Sequence, residues 1–166
     1  MDKRDITCCF TGHRPGRLPW GARETDVRCL ALKAELAQHL EGIYEAGYRR
    51  FFCGMALGCD TYFAQAVLTL KEERPGVILE AAVPCASQAD KWTRAQQLRY
   101  NALLNDCDKV HILQQNYTAD CMLRRNRYMV DRSSLLLAVF DGRPSGTMNT
   151  LVYAQRQGIK SIIIEL

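Results

Sequence analysis

The chain lacks almost everything that would mark a metal centre or a disulfide scaffold. Its histidines stand alone at His13, His39 and His111, and none of its eight cysteines forms a Cys-x-x-Cys pair. Zinc-ligand spacing is therefore missing, and no metal is expected. Cys8, Cys9, Cys29, Cys53, Cys59, Cys85, Cys107 and Cys121 fall mostly in apolar runs or small-residue turns, the pattern of reduced, buried thiols. Cys59 and Cys85 lie in expected loops, which leaves room for reactivity there. No apolar run approaches the ~20 residues that span a bilayer. Met1-Asp2-Lys3-Arg4-Asp5 also lacks the apolar core of a secretory signal. A cytoplasmic protein with no membrane partner is the expectation. Lysine is scarce, 6 against 16 arginines, and the net charge is only +4. That charge is too small to imply a nucleic-acid groove, whereas guanidinium forks suit phosphates and carboxylates.

What is present reads as one domain over residues 1–166. The 166 residues, 48% hydrophobic and 24% charged, suffice for a sizeable core. Apolar β-formers at Ile6–Phe10, Phe51–Cys53, Val77–Val83, Lys109–Leu113, Leu135–Phe140 and Ser161–Glu165 alternate with helical patterns. The helices are expected over about 22–46, from Asp60, and over about 88–105, 119–132 and from 148. The first carries Cys29, Leu32, Leu36, Leu40 and Ile43 at helical spacing. Strands separated by helices predict an α/β fold: a single Rossmann-like domain, with a mostly parallel, doubly wound sheet of about six strands and helices on both faces.

In such sheets ligands bind beyond the carboxyl ends of the strands. Three strands here empty into small or glycine-rich turns: Thr11-Gly12-His13-Arg14, Gly54-Met55-Ala56-Leu57-Gly58-Cys59-Asp60, and Asp141-Gly142-Arg143-Pro144-Ser145-Gly146-Thr147. The last runs from an apolar strand into a helix start, the arrangement that places backbone N–H groups against an anion. Gly142 and Gly146 would allow close backbone approach, and Thr147 would cap the helix or bind an oxygen. Arg14 would pair with a phosphate or carboxylate, and His13 would donate a hydrogen bond. Asp60 reads either as a helix cap or as a ligand for a sugar hydroxyl. Arg125 shares a face with Met122 and Met129, so it needs a partner, either Asp131 or Asp141, or a ligand phosphate. Trp92 and Tyr100 are candidates for stacking on a base, with core packing as the plainer reading. The first turn does not fit the dinucleotide glycine fingerprint, so NAD is not inferred.

Four stretches resemble the YpsA-like branch of the SLOG superfamily, named for the DprA/SMF and LOG proteins. They are Cys8–Pro15, Cys53–Asp60, Arg125–Asp131, and Asp141-Gly142 with Gly146-Thr147. The resemblance implies a Rossmann-like fold whose loops bind a nucleotide or nucleotide-derived ligand, such as a nucleoside phosphate or an ADP-ribose-like molecule, and it implies a homodimer. It names a family and not an activity. LOG enzymes hydrolyse nucleoside 5′-monophosphates with a glutamate in the loop Pro-Gly-Gly-x-Gly-Thr-x-x-Glu. Aligning Gly146-Thr147 with that loop puts Thr150 in the glutamate's place, and Arg125-Asn126 where LOG has Arg-Lys. Ser145 stands where related loops carry glycine. Phosphate binding survives this comparison better than hydrolysis.

Three functions follow as expectations. The first is a binding module for a nucleotide-like small molecule. The second is a hydrolase in which Asp60, Asp131 or Asp141 replaces the missing glutamate. The third, least favoured by the charge, is single-stranded DNA binding of the DprA kind.

Overall fold

The computed structural model describes residues 2–166. Six strands, β1 (Thr7–Thr11), β2 (Arg50–Cys53), β3 (Ile78–Val83), β4 (Lys109–Ile112), β5 (Leu135–Phe140) and β6 (Lys160–Glu165), form one sheet in the order β4-β3-β2-β1-β5-β6. Every neighbouring pair is parallel. Five helices connect them: α1 (Val27–Glu45), α2 (Cys59–Glu73), α3 (Arg94–Asp106), α4 (Cys121–Asp131) and α5 (Gly146–Arg156). The expected Rossmann-like α/β class is the observed one. No helix is long and apolar enough to cross a membrane among the described residues.

Period-two alternation along the strands divides the core between the two faces of the sheet. Cys8, Phe10, Phe51, Leu79 and Leu137 point to the side covered by α1, α2 and α3. Cys9, Phe52, Ala82 and Leu136 point to the side where α4 and α5 supply Met129, Val130 and Ala154. The Phe10 and Phe63 rings stack with centroids 4.4 Å apart, and burying each contributes about 1.5–3 kcal/mol. The predicted stripe on α1 is buried in full.

Helix starts differ from the periodicity where a capping side chain decides them. α1 begins at Val27 rather than near residue 22 because the Asp26 carboxylate accepts from the Arg28 N–H. α3 begins at Arg94 because Thr93 and Gln96 form a capping box. α5 begins at Gly146 because the Ser145 hydroxyl accepts from the Met148 N–H. All eight cysteines are free thiols, seven of them buried. The reactivity considered for Cys59 and Cys85 is not supported. Both are buried, and burial, with the Asp60 charge beside it, pushes the Cys59 thiol up to about 12.

Candidate functional site

The chain runs outward from β1 to β4 and then returns to β5 on the other side of β1. The strand order therefore reverses between β1 and β5, where connecting loops part and leave a crevice. A cavity of about 310 Å³ lies there. Its walls come from the loop after β1 (Thr11 to Arg14, and Arg17), from Ala56 and Asp60 after β2, from α4 (Met122, Arg125, Asn126) and from the start of α5 (Ser145 to Thr147).

The glycines of the first two loops serve packing. A Cβ on Gly12 would sit 2.6 Å from the Cys59 Cβ, and one on Gly58 would sit 2.7 Å from the His13 carbonyl oxygen. That carbonyl accepts from the Cys59 N–H at 3.1 Å. Gly58 also holds φ +86°, in the left-handed region. A Cβ on Gly54 would collide with the Arg125 guanidinium. Gly54 and Gly58 thus shape the wall without facing the cavity. Met55 between them adopts φ +60°, which no other non-glycine described residue does.

Arg125 is buried, and its partners are neither Asp131 nor Asp141. Its Nη1 donates to the Gly54 carbonyl and, at 3.3 Å, to that of Ala82, while Nε donates to the Asn126 side chain at 2.8 Å. The helix α4 is thereby bonded to the ends of β2 and β3. Burial opposes the Arg125 charge, and Asp60 across the cavity only partly offsets this. Burial likewise pushes the Asp60 carboxyl above its ordinary value, against the Arg125 charge, the Ala56 N–H and Arg14. Asp60 does not cap α2. It lies in the first turn and accepts from the Ala56 N–H at 3.0 Å, while Gly58 occupies the cap position. Burial thus works against the charged forms of both Asp60 and Arg125, and each partly offsets the other.

His13 is not poised to donate to a ligand through Nε2. That atom accepts from the Asp141 N–H at 3.1 Å and so ties the β1 loop to the β5 loop. Burial lowers its pKa, Asp141 raises it, and Arg17 and Arg143 lower it further. Asp141 is held by the wall residue Arg17 (3.0 Å) and, from outside the cavity, by Arg143 (3.1 Å). Burial pushes its carboxyl up, but the Arg143 N–H, the Arg17 fork and the remaining contacts outweigh this and hold it well below the usual carboxylate range. Arg14 is exposed at the cavity, and its guanidinium has no hydrogen bond or ion pair among the described residues.

At α5, Ser145 and not Thr147 is the cap. Thr147 is buried and lines the cavity, with its hydroxyl unbonded among the described residues. The N–H groups of Gly146 and Thr147, in the first turn, have no acceptor four residues back. A Cβ on Gly146 would meet nothing within 4 Å, and its φ lies outside the left-handed region. Gly142, at φ +82°, shapes the turn from outside the cavity.

A family model described as the YspA SLOG family matches residues 8–161. The chain belongs to the YspA SLOG family. It is 31% identical over 140 residues to the SPbeta prophage-derived protein YoqJ of Bacillus subtilis (strain 168), covering 76% of this chain and 82% of that one. It is 26% identical over 145 residues to a UPF0398 protein of Bacillus pumilus (strain SAFR-032), covering 86% and 77%. Among solved structures it resembles the DNA processing protein A (DprA) of Streptococcus pneumoniae, with a TM-score of 0.63 at 16% identity, over 97% of this chain and 50% of that one. It also resembles the DprA of Helicobacter pylori, described for its single-stranded DNA binding mode, with a TM-score of 0.57 at 18% identity over 96% and 65%. This chain thus spans about half to two thirds of those proteins, and the likeness is one of fold.

Within this SLOG chain the cavity gathers Thr11, Gly12, His13, Arg14, Ala56, Asp60, Arg125, Ser145, Gly146 and Thr147. Other candidates lie elsewhere. Asp131 is at the far end of α4, accepting from the Tyr153 hydroxyl at 2.6 Å. Trp92 and Tyr100 line a neighbouring cavity of about 240 Å³ with Met55 and Gly58. Their rings meet edge to face at 5.0 Å, the geometry of packing. Thr150, in the place of the LOG glutamate, is buried and donates to the Gly146 carbonyl at 2.9 Å. Sequence reasoning missed Arg17 and Asn126 as wall residues. Arg17 sat in a loop with no pattern of its own, and its role depends on a contact 124 residues away in sequence.

Proposed function

We propose that this protein binds a nucleotide or nucleotide-derived ligand, with a phosphate seated between the first turn of α5 and the arginines of the opposite wall. The observation that carries this reading is the unused donor capacity around one cavity. Among the described residues the Gly146 and Thr147 N–H groups have no acceptor and the Arg14 guanidinium has no partner, and Arg125 carries an incompletely offset charge. Such donors at a helix N-terminus suit a phosphate. Thermal shift against nucleoside mono- and diphosphates, ADP-ribose and NAD tests it. A ligand at 100 times its Kd should add about 2.7 kcal/mol of stability, and no stabilisation by any of the panel at millimolar concentration overturns the reading. By the family resemblance, the protein acts as a cytoplasmic homodimer, and sedimentation velocity checks the assembly.

Asp60 favours a second reading, hydrolysis of the glycosidic bond of a nucleoside monophosphate. Of the three carboxylates considered, only Asp60 lines the cavity. Burial moves its pKa upward, the direction that suits a general acid for a departing base. Chromatography for free base after incubation with nucleoside monophosphates decides this. Single-stranded DNA binding is the reading that the modest charge supports least, and anisotropy with a labelled oligonucleotide at two salt concentrations tests it.

A further inference from the structure

The far end of the sheet carries a second polar constellation that the first cavity does not use. On the face covered by α4 and α5, α4 packs over β1 and β3, and α5 over β5 and β6. The amino-terminal halves of β2, β3 and β4 are left beside a cavity of about 410 Å³. Glu80 is buried in its floor. The Arg50 guanidinium donates to one Glu80 oxygen, and His111 Nε2 lies 3.1 Å from the other. His111 Nδ1 lies 3.3 Å from the Tyr128 hydroxyl. The Arg132 guanidinium stacks 3.6 Å above the Tyr128 ring.

We propose that this cavity is a second ligand site, which takes a small, multiply charged anion of the pyrophosphate type. Five lysine and arginine side chains, with His111, stand against three carboxylates in its lining. Each carboxylate is already engaged inside the protein. Glu80 holds Arg50 and His111, Asp131 accepts from Tyr153, and Asp2 accepts from the Arg4 N–H. The ammonium groups of Lys3 and Lys109 have no acceptor among the described residues. Asp2 and Asp131 each engage one oxygen, but the basic groups outnumber the carboxylates and two ammonium groups stay unpaired among the described residues, so the balance is positive and favours an anion over a cation. A buried ion pair such as Arg50–Glu80 adds little net stability over apolar side chains. Its neighbours Phe52 and Ala82 show that this face accepts such side chains. The volume lies within the range of small-ligand pockets. The site is independent of the reading of the first cavity, since the two share no lining residue.

The histidines allow the two cavities to be read separately in one titration. His13 lies in the first and His111 in the second, while His39 lies on α1, outside both. Inorganic pyrophosphate and inorganic phosphate, at matched ionic strength, should be titrated into the full chain while the imidazole resonances are followed by NMR. The expected result is a saturable shift of His111, with tighter binding of pyrophosphate. Lys109→Glu, at an exposed position, should weaken the His111 response roughly ten- to hundredfold, as removal of a charge-assisted bond does, and leave the His13 response unchanged. A His111 shift that fails to saturate, that is equal for both anions, or that survives in Lys109→Glu overturns the proposal. A His13 response without one at His111 also overturns it, while leaving the first site standing.

Discussion

The guanidinium of Arg125 occupies the volume that a side chain at Gly54 would need. One glycine thus makes room for one buried cation, and the same cation bonds that glycine's carbonyl. Gly54→Ala should push Arg125 off its carbonyl partners and cost about 3 kcal/mol. Urea denaturation measures this, and a loss below about 0.5 kcal/mol would mean that the guanidinium has another seat.

Gly146→Val should behave in the opposite way. Nothing crowds a Cβ there, and the φ is one that any residue adopts, so folding should be nearly unaffected. The side chain would enter the cavity and separate the first-turn N–H groups from an anion. Affinity for a phosphorylated ligand should fall about a hundredfold, roughly 2.7 kcal/mol. Calorimetry beside circular dichroism checks both halves, and full binding by the folded variant removes α5 from the site.

Asp60→Asn separates the two functional readings. Burial raises the folded-state pKa of Asp60 above its unfolded value. The folded chain then keeps a proton that the unfolded chain releases, and stability falls as pH rises through the interval between the two values. Asparagine should therefore stabilise the protein at pH 7, with the gain fading as pH approaches 4. Phosphate affinity should be kept or improved, while any release of free base should stop. Stability curves at three pH values, run beside binding and product assays, give all three outcomes.

His13 has the reverse dependence. Its folded pKa lies below the unfolded one, so below about pH 6.5 the unfolded chain takes up a proton that the folded chain resists. Stability should decline as pH falls from 7.5 to 5.5. His13→Gln keeps an acceptor for the Asp141 N–H without titrating, and should flatten that decline. Denaturation midpoints at the two pH values measure it, and an identical slope in the variant would assign the effect to another group.

The layers and the strand-to-helix alternation were legible because they depend on local periodicity, as the α1 stripe from Cys29 to Ile43 illustrates. The convergence of three small-residue turns was legible because parallel strands must all end on one edge. What those glycines do was not legible. Gly12 and Gly58 are small because another loop lies against them, which spacing along the chain cannot distinguish from approach to a ligand. Arg125 was singled out by its apolar helix face, but its partners are backbone carbonyls of β2 and β3, which have no signature in residue type. Trp92 and Tyr100 line a separate cavity, which their place along the chain does not reveal.

The packing of Gly12 against Cys59, and of Gly58 against the His13 carbonyl, makes the first two loops a single mechanical unit. A molecule that touches only one of them must restrain both. Amide hydrogen exchange would then slow together across residues 11–16 and 54–60 when the cavity fills, as one cooperative opening. The contribution of either loop to recognition would not be separable by mutating it alone.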